Sequence, residues 1–102
     1  MIRHVVMWKL KDEALGLGKE ALKAELKKRL EALVGRVPGV VTFEVGINQV
    51  PGDTVTDVCL VSTFVDRAGL QAYGDHPAHQ EVVAFVKQVA AERRAADYPV
   101  EA

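Results

Sequence analysis

Three histidines, two tyrosines and one tryptophan are the residues here best suited to moving a proton or gripping a polar ligand. His4 alternates in phase with Val6 and Trp8 along the β-rich run from Ile2 to Leu10, so it points at whatever covers that face. His79 stands on an apolar stripe with Val82, Val83, Val86 and Ala90 at helical spacing, which turns it toward a sheet. Tyr73 lies three residues after Leu70 and shares its inward side. If the helix bearing His79 packs on the face bearing Val6 and Trp8, then His4, Tyr73 and His79 converge. Two imidazoles and a phenol in an apolar pocket supply a base, an acid and a donor to a developing oxyanion.

Each of these residues also has a plainer reading. A histidine on an apolar face is more often a hydrogen-bonded core residue than a catalyst. A lone tyrosine is usually an amphipathic core residue, and Trp8 serves packing before it serves a ligand. Asp57 and Asp97 fall near strand ends, where turns and ion pairs are the usual roles. His76 precedes Pro77 and suits a helix cap. The pair His76 and His79 has an H-x-x-H spacing, but Pro77 disturbs the phase and only His4 could be a third ligand, so no metal is assigned. Signatures such as G-x-S-x-G, G-x-x-x-x-G-K and G-x-G-x-x-G do not occur in the sequence. No cofactor is expected. The single Cys59 cannot form an internal disulfide and has no basic neighbour to activate it.

The elements that must hold these residues are legible from periodicity. Ile2 to Leu10 predicts a strand with apolar residues on both faces, and Lys11 to Gly18 a connection. Leu22, Leu26, Leu30, Leu33 and Val37 predict an amphipathic helix from Lys19 to Val37, stopped by Pro38-Gly39. Val40 to Val50 and Val55 to Phe64 read as strands around a Pro51-Gly52-Asp53 turn. Asp66 caps a short helix through Tyr73, Pro77 opens a second running to about Arg93, and Ala95 to Val100 closes as a strand. The order βαββαβ is the split βαβ unit of ferredoxin-like α+β sandwiches, a four-stranded antiparallel sheet with two helices on one face.

Two helices cover only one face of such a sheet, yet its strands carry apolar residues on both. The simplest cover for the second face is another copy of the same sheet, which predicts a homodimer through sheet faces, a dimeric α/β barrel.

Composition narrows the classes further. The chain has 102 residues, 13 Lys+Arg against 14 Asp+Glu, and a formal net charge of −1. That length predicts one domain over residues 1–102. The near-neutral balance gives no basic footprint for nucleic acid. No apolar run approaches a membrane span, and Met1 to Leu10 is too short and mixed for a secretory signal, so a cytoplasmic location is expected.

Several short marks in order also resemble a known family, the stress-responsive A/B-barrel domain (Dabb, dimeric α/β barrel). They are Ile2-Arg3-His4-Val5-Val6, Phe43-Glu44-Val45-Gly46, Asp57 to Phe64, Tyr73 followed by His76-Pro77-Ala78-His79, and Asp97-Tyr98. The resemblance runs from Ile2 to Tyr98 and implies a ferredoxin-like protomer in a sheet-to-sheet homodimer. Members of the olivetolic acid cyclase type are cofactor-free polyketide cyclases, and their catalytic residues fall by motif on His4, Tyr73 and His79. The resemblance then implies that His79 removes a proton from a carbon between two carbonyls. Tyr73 would donate to the enolate or aldol oxygen, and His4 would orient the substrate. Trp8, Val58, Leu60 and residues near Leu22 to Leu26 would line the cavity. Val58 stands where those cyclases carry a further pocket histidine, which implies either a different substrate or a pocket too filled to accept one.

Three functions follow as expectations. The first is a Dabb-domain protein of uncharacterised activity, dimeric, with a pocket for a small hydrophobic or phenolic ligand. The second is a cofactor-free cyclase or lyase using His79 as base with Tyr73 and His4. The third is a cofactor-independent monooxygenase.

Overall fold

The computed structural model describes residues 1–101. Its strands are β1 (Ile2–Leu10), a short hairpin of β2 (Glu13–Ala14) and β3 (Leu17–Gly18), β4 (Val40–Ile47), β5 (Val58–Phe64) and β6 (Ala90–Pro99). The helices are α1 (Lys19–Glu31), α2 (Arg67–Asp75) and α3 (Pro77–Val89). The four long strands form one antiparallel sheet in the order β4-β5-β1-β6, the ferredoxin-like arrangement.

Alternation along β1 decides the layering. His4, Val6, Trp8 and Leu10 are buried, while Met7 and Lys9 between them are exposed. Leu22, Leu26 and Leu30 of α1 meet this face and are at most 2% exposed, each contributing roughly 1.5–3 kcal/mol of burial. Tyr73 from α2 and Ala78, Val82, Phe85 and Val89 from α3 complete the core.

Strand β4 stops at Ile47 and β5 starts only at Val58, and three further features differ from the periodicity. Helix α1 ends at Glu31 rather than Val37, yet Leu33 and Val37 remain buried in the turns that follow. The connection before α1 folds into the β2–β3 hairpin, turned at Leu15 and Gly16 with φ of 53° and 77°; positive φ at both central residues suits the right-handed strand twist. Strand β6 starts at Ala90, so the segment to Arg93 is strand rather than helix. Its Glu92 and Arg93 pair with Lys9 and Trp8, supplying β1 with its second neighbour.

The second helical leg is split at His76-Pro77. Asp66 caps α2 by accepting from Gly69 N at 2.8 Å, and His76 caps α3 by accepting from Ala78 N at 3.0 Å. Pro77 occupies the first turn, where its missing N–H costs nothing. This break sets Tyr73 and His79 on adjoining helix ends.

Candidate functional site

Strand β1 contributes His4 and Trp8, helix α2 contributes Tyr73, and helix α3 contributes His79. The rings of Tyr73 and His79 lie 4.5 Å apart between centroids, and those of His4 and Tyr73 lie 6.3 Å apart. Phe64 packs on Tyr73 at 4.9 Å, fixing the phenol from the sheet side. The three residues singled out in the sequence are therefore neighbours.

Their hydrogen bonds assign the tautomers. His79 Nδ1 lies 3.0 Å from Gly74 O. A carbonyl only accepts, so Nδ1 carries the proton and Nε2 of the neutral ring is the free acceptor. His4 Nδ1 bonds Asp97 Oδ1 across the β1–β6 pair, which places its proton in the same way. The Tyr73 hydroxyl and Trp8 Nε1 are both buried without any hydrogen-bond partner.

Burial tunes two of these groups. His79 is held below the usual histidine value, first by burial and then by the nearby charges of His4 and Arg93, with the Gly74 bond opposing. Burial pushes Tyr73 up to about 12. At neutral pH the site thus holds an unprotonated base beside a protonated acid.

Two hollows meet at these side chains. One is an apolar cavity of about 170 Å³ between α3 and the sheet, walled by Val6, Trp8, Leu30, Leu60, Val82, Val83 and Val86. The other is a cleft of about 540 Å³ flanked by Ile2, Leu70, Gln71, Asp97 and Pro99. His4, Tyr73, His79 and Arg93 line both. Trp8 and Leu60 fall on the cavity wall. Val58, Leu22 and Leu26 lie in the core away from the cavity.

Periodicity assigns no role to Arg93, whereas Asp97 makes the ion pair expected of it, with His4 as its partner. Arg93 falls where the pattern predicts helix, and the strand-end position of Asp97 does not reveal that His4 faces it. The alternation of a strand starting at Ala90 would have set both on the face of His4 and Trp8. The H-x-x-H pair does not converge: His76 Nδ1 caps α3, while His79 Nδ1 is bound to Gly74. Among the described residues no group of three or more His, Cys, Asp or Glu side chains is placed to hold a metal. Among them, too, no helix is long and apolar enough to cross a membrane.

The stress responsive A/B barrel domain model matches residues 2–100. A dimeric protein of unknown function and ferredoxin-like fold from Bacteroides fragilis is 26% identical, with 97% of this chain and 95% of that chain covered and a TM-score of 0.84. A Dabb family protein from Mesorhizobium loti is 28% identical, with 99% and 97% covered and a TM-score of 0.67. A hydroxynitrile lyase from Passiflora edulis shares the fold at 16% identity, with 98% and 93% covered and a TM-score of 0.81. Among curated proteins none matches the sequence.

Proposed function

Because the chain belongs to the stress-responsive A/B barrel (Dabb) domain family, we propose that it is a homodimer whose protomers each hold a cofactor-free acid–base pocket for a small carbonyl compound. The observation that carries this reading is the buried, unpartnered Tyr73 hydroxyl beside a His79 ring whose Nδ1 is already bound. Such an arrangement costs stability unless a ligand oxygen completes it.

In this reading His79 Nε2 takes a proton from a carbon next to a carbonyl. Tyr73 donates to the oxygen that gains charge, and His79 returns the proton or passes it to the product. His4, steadied by Asp97, positions the same carbonyl or a second one. Acid–base catalysis of this kind supplies roughly 10²–10⁴-fold in rate. The apolar cavity supports the assignment, because a dry wall keeps the imidazole neutral and strengthens each donated bond.

The assembly part rests on the sheet face turned away from the helices. Val5 and Val61 are only half-buried there, and Met7 is 39% exposed. The relative from Bacteroides fragilis is described as dimeric, and a second sheet is the cover that suits a self-complementary apolar face.

The catalytic reading is tested by deuterium exchange at the central carbon of a 1,3-diketone, followed by NMR. Exchange above the buffer rate that falls at least tenfold in both His79→Ala and Tyr73→Phe supports it. An exchange rate equal to buffer for a diketone that demonstrably binds would overturn it.

A further inference from the structure

The inner cavity has an imbalance of polar groups that the acid–base reading leaves unused. Trp8 Nε1 is a donor only, is buried, and has no partner. Arg93 and Lys87 stand exposed at the rim of the same cavity, and both are also donors only. Among the described residues neither the Arg93 guanidinium nor the Lys87 ammonium makes an ion pair or hydrogen bond. Apart from the imidazoles and the phenol, no side chain on that wall can accept a hydrogen bond. Asp97, the carboxylate flanking the outer cleft, is engaged by His4.

Arg93 is also well placed. It pairs with Trp8 across the β1–β6 ladder, so its side chain shares the helix-covered face, and it lines both hollows where they meet. A ligand reaching from the cleft into the cavity passes the guanidinium. From this geometry we infer that the pocket selects a monocarboxylate, with Arg93 gripping the anion at the junction and an apolar body of about one ring filling the cavity. The cavity of about 170 Å³ suits that body, since about 150 Å³ of apolar space accepts a benzene ring. A planar guanidinium meets a carboxylate with two parallel bonds, which a neutral amide cannot match.

The inference rests on the pocket reading above, and the test separates the two. Benzoate and its neutral analogue benzamide are titrated calorimetrically into the intact protein at low salt, with the fluorescence of Trp8 reporting occupancy. Benzoate is expected to bind about 10- to 100-fold more tightly, the ratio that charge-assisted bonds give. Arg93→Gln should remove that preference and leave benzamide within about twofold of the native protein, while Arg93→Lys should keep part of it. Equal affinities for the two ligands in the native protein would sink the inference and spare the pocket. Equal loss of both in Arg93→Gln, or a preference removed by Lys87→Gln instead, would also overturn the role of Arg93. If neither ligand binds while diketone exchange persists, the inference falls and the pocket reading stands; if exchange is absent as well, both fall.

Discussion

Tyr73 and His79 stack at 4.5 Å between ring centroids, inclined by 53°, yet the Tyr73 hydroxyl has no hydrogen-bond partner. The His79 proton goes instead to Gly74, at the end of the other helix. An acid and a base are thus held side by side without satisfying each other. A bonded pair would relax into a structural contact; this one stays open to a third molecule.

The first prediction follows from that open hydroxyl. A buried unpaired hydroxyl costs about 1–3 kcal/mol, so Tyr73→Phe should leave stability unchanged or raise it by about 1 kcal/mol. Diketone exchange should fall at least tenfold in the same variant. Urea midpoints and exchange rates measured side by side check this. A clear loss of stability would mean that the hydroxyl has a structural partner in solution.

The second concerns pH. Burial lowers the His79 pKa in the folded chain below its unfolded value near 6.5, so the unfolded chain binds the proton more readily. The stability this group contributes is complete above pH 6.5 and is lost as pH falls from there toward the lowered folded value. Activity needs the neutral ring, so it should hold steady at neutral pH and fall only below that folded value. Tyr73 acts in the opposite sense: with its pKa raised to about 12, its contribution is present below pH 10 and is lost as pH rises from 10 to 12. Urea titrations of the native protein and of His79→Gln should differ in slope mainly on the acid side.

The strands and their facing were legible because each signal was local. His4, Val6 and Trp8 alternate in β1 as expected, whereas on α3 and its C-cap the stripe of His79, Val83, Val86 and Ala90 is half-buried and the buried row is Ala78, Val82, Phe85 and Val89. Arg93 was hidden for a physical reason. Ala90-Ala91-Glu92-Arg93 favours a helix in isolation, and nothing local breaks it. It becomes strand because the free edge of β1 takes up its backbone groups, a pairing far apart in sequence. The ion-pair role of Asp97 was legible but its partner was not, since the meeting with His4 depends on the β6 register. At α1 the buried spacing of Leu33 and Val37 survives in turns, where periodicity cannot tell a helix from a coil that still packs inward.

The third prediction addresses how His4 is held. Asp97→Asn preserves size but removes the carboxylate that fixes the Nδ1 proton, so the ring should sample its other tautomer. Exchange should drop with stability little changed, by less than the roughly 10⁴-fold found where the oriented histidine is itself the base, because His4 only positions the carbonyl. In a His4→Ala background the same change should have no further effect on rate. Nitrogen NMR shifts of His4 report the tautomer directly. Unaltered shifts in Asp97→Asn would remove the orienting role.

The last prediction separates assembly from the site. Val61 lies at the middle of the open sheet face, opposite Val5 on one side and Glu44 on the other. An aspartate there would face Glu44 and strain the protomer itself, confusing any loss of assembly with loss of folding. Val61→Lys avoids this, because a lysine opposite Glu44 gains about 0.2–1 kcal/mol from a cross-strand charge pair. Burying that ammonium against a second sheet would instead cost several kcal/mol. Sedimentation should therefore show a dimer for the native chain and a monomer for Val61→Lys, with circular dichroism unchanged. Thermal unfolding should lose its dependence on protein concentration in the variant alone. His79 and Tyr73 lie under the opposite face of the sheet, so diketone exchange by the monomer should remain within a few-fold. A variant that stays dimeric would place the contact on another surface, whereas a monomer that loses exchange would mean that the second sheet holds the pocket in shape.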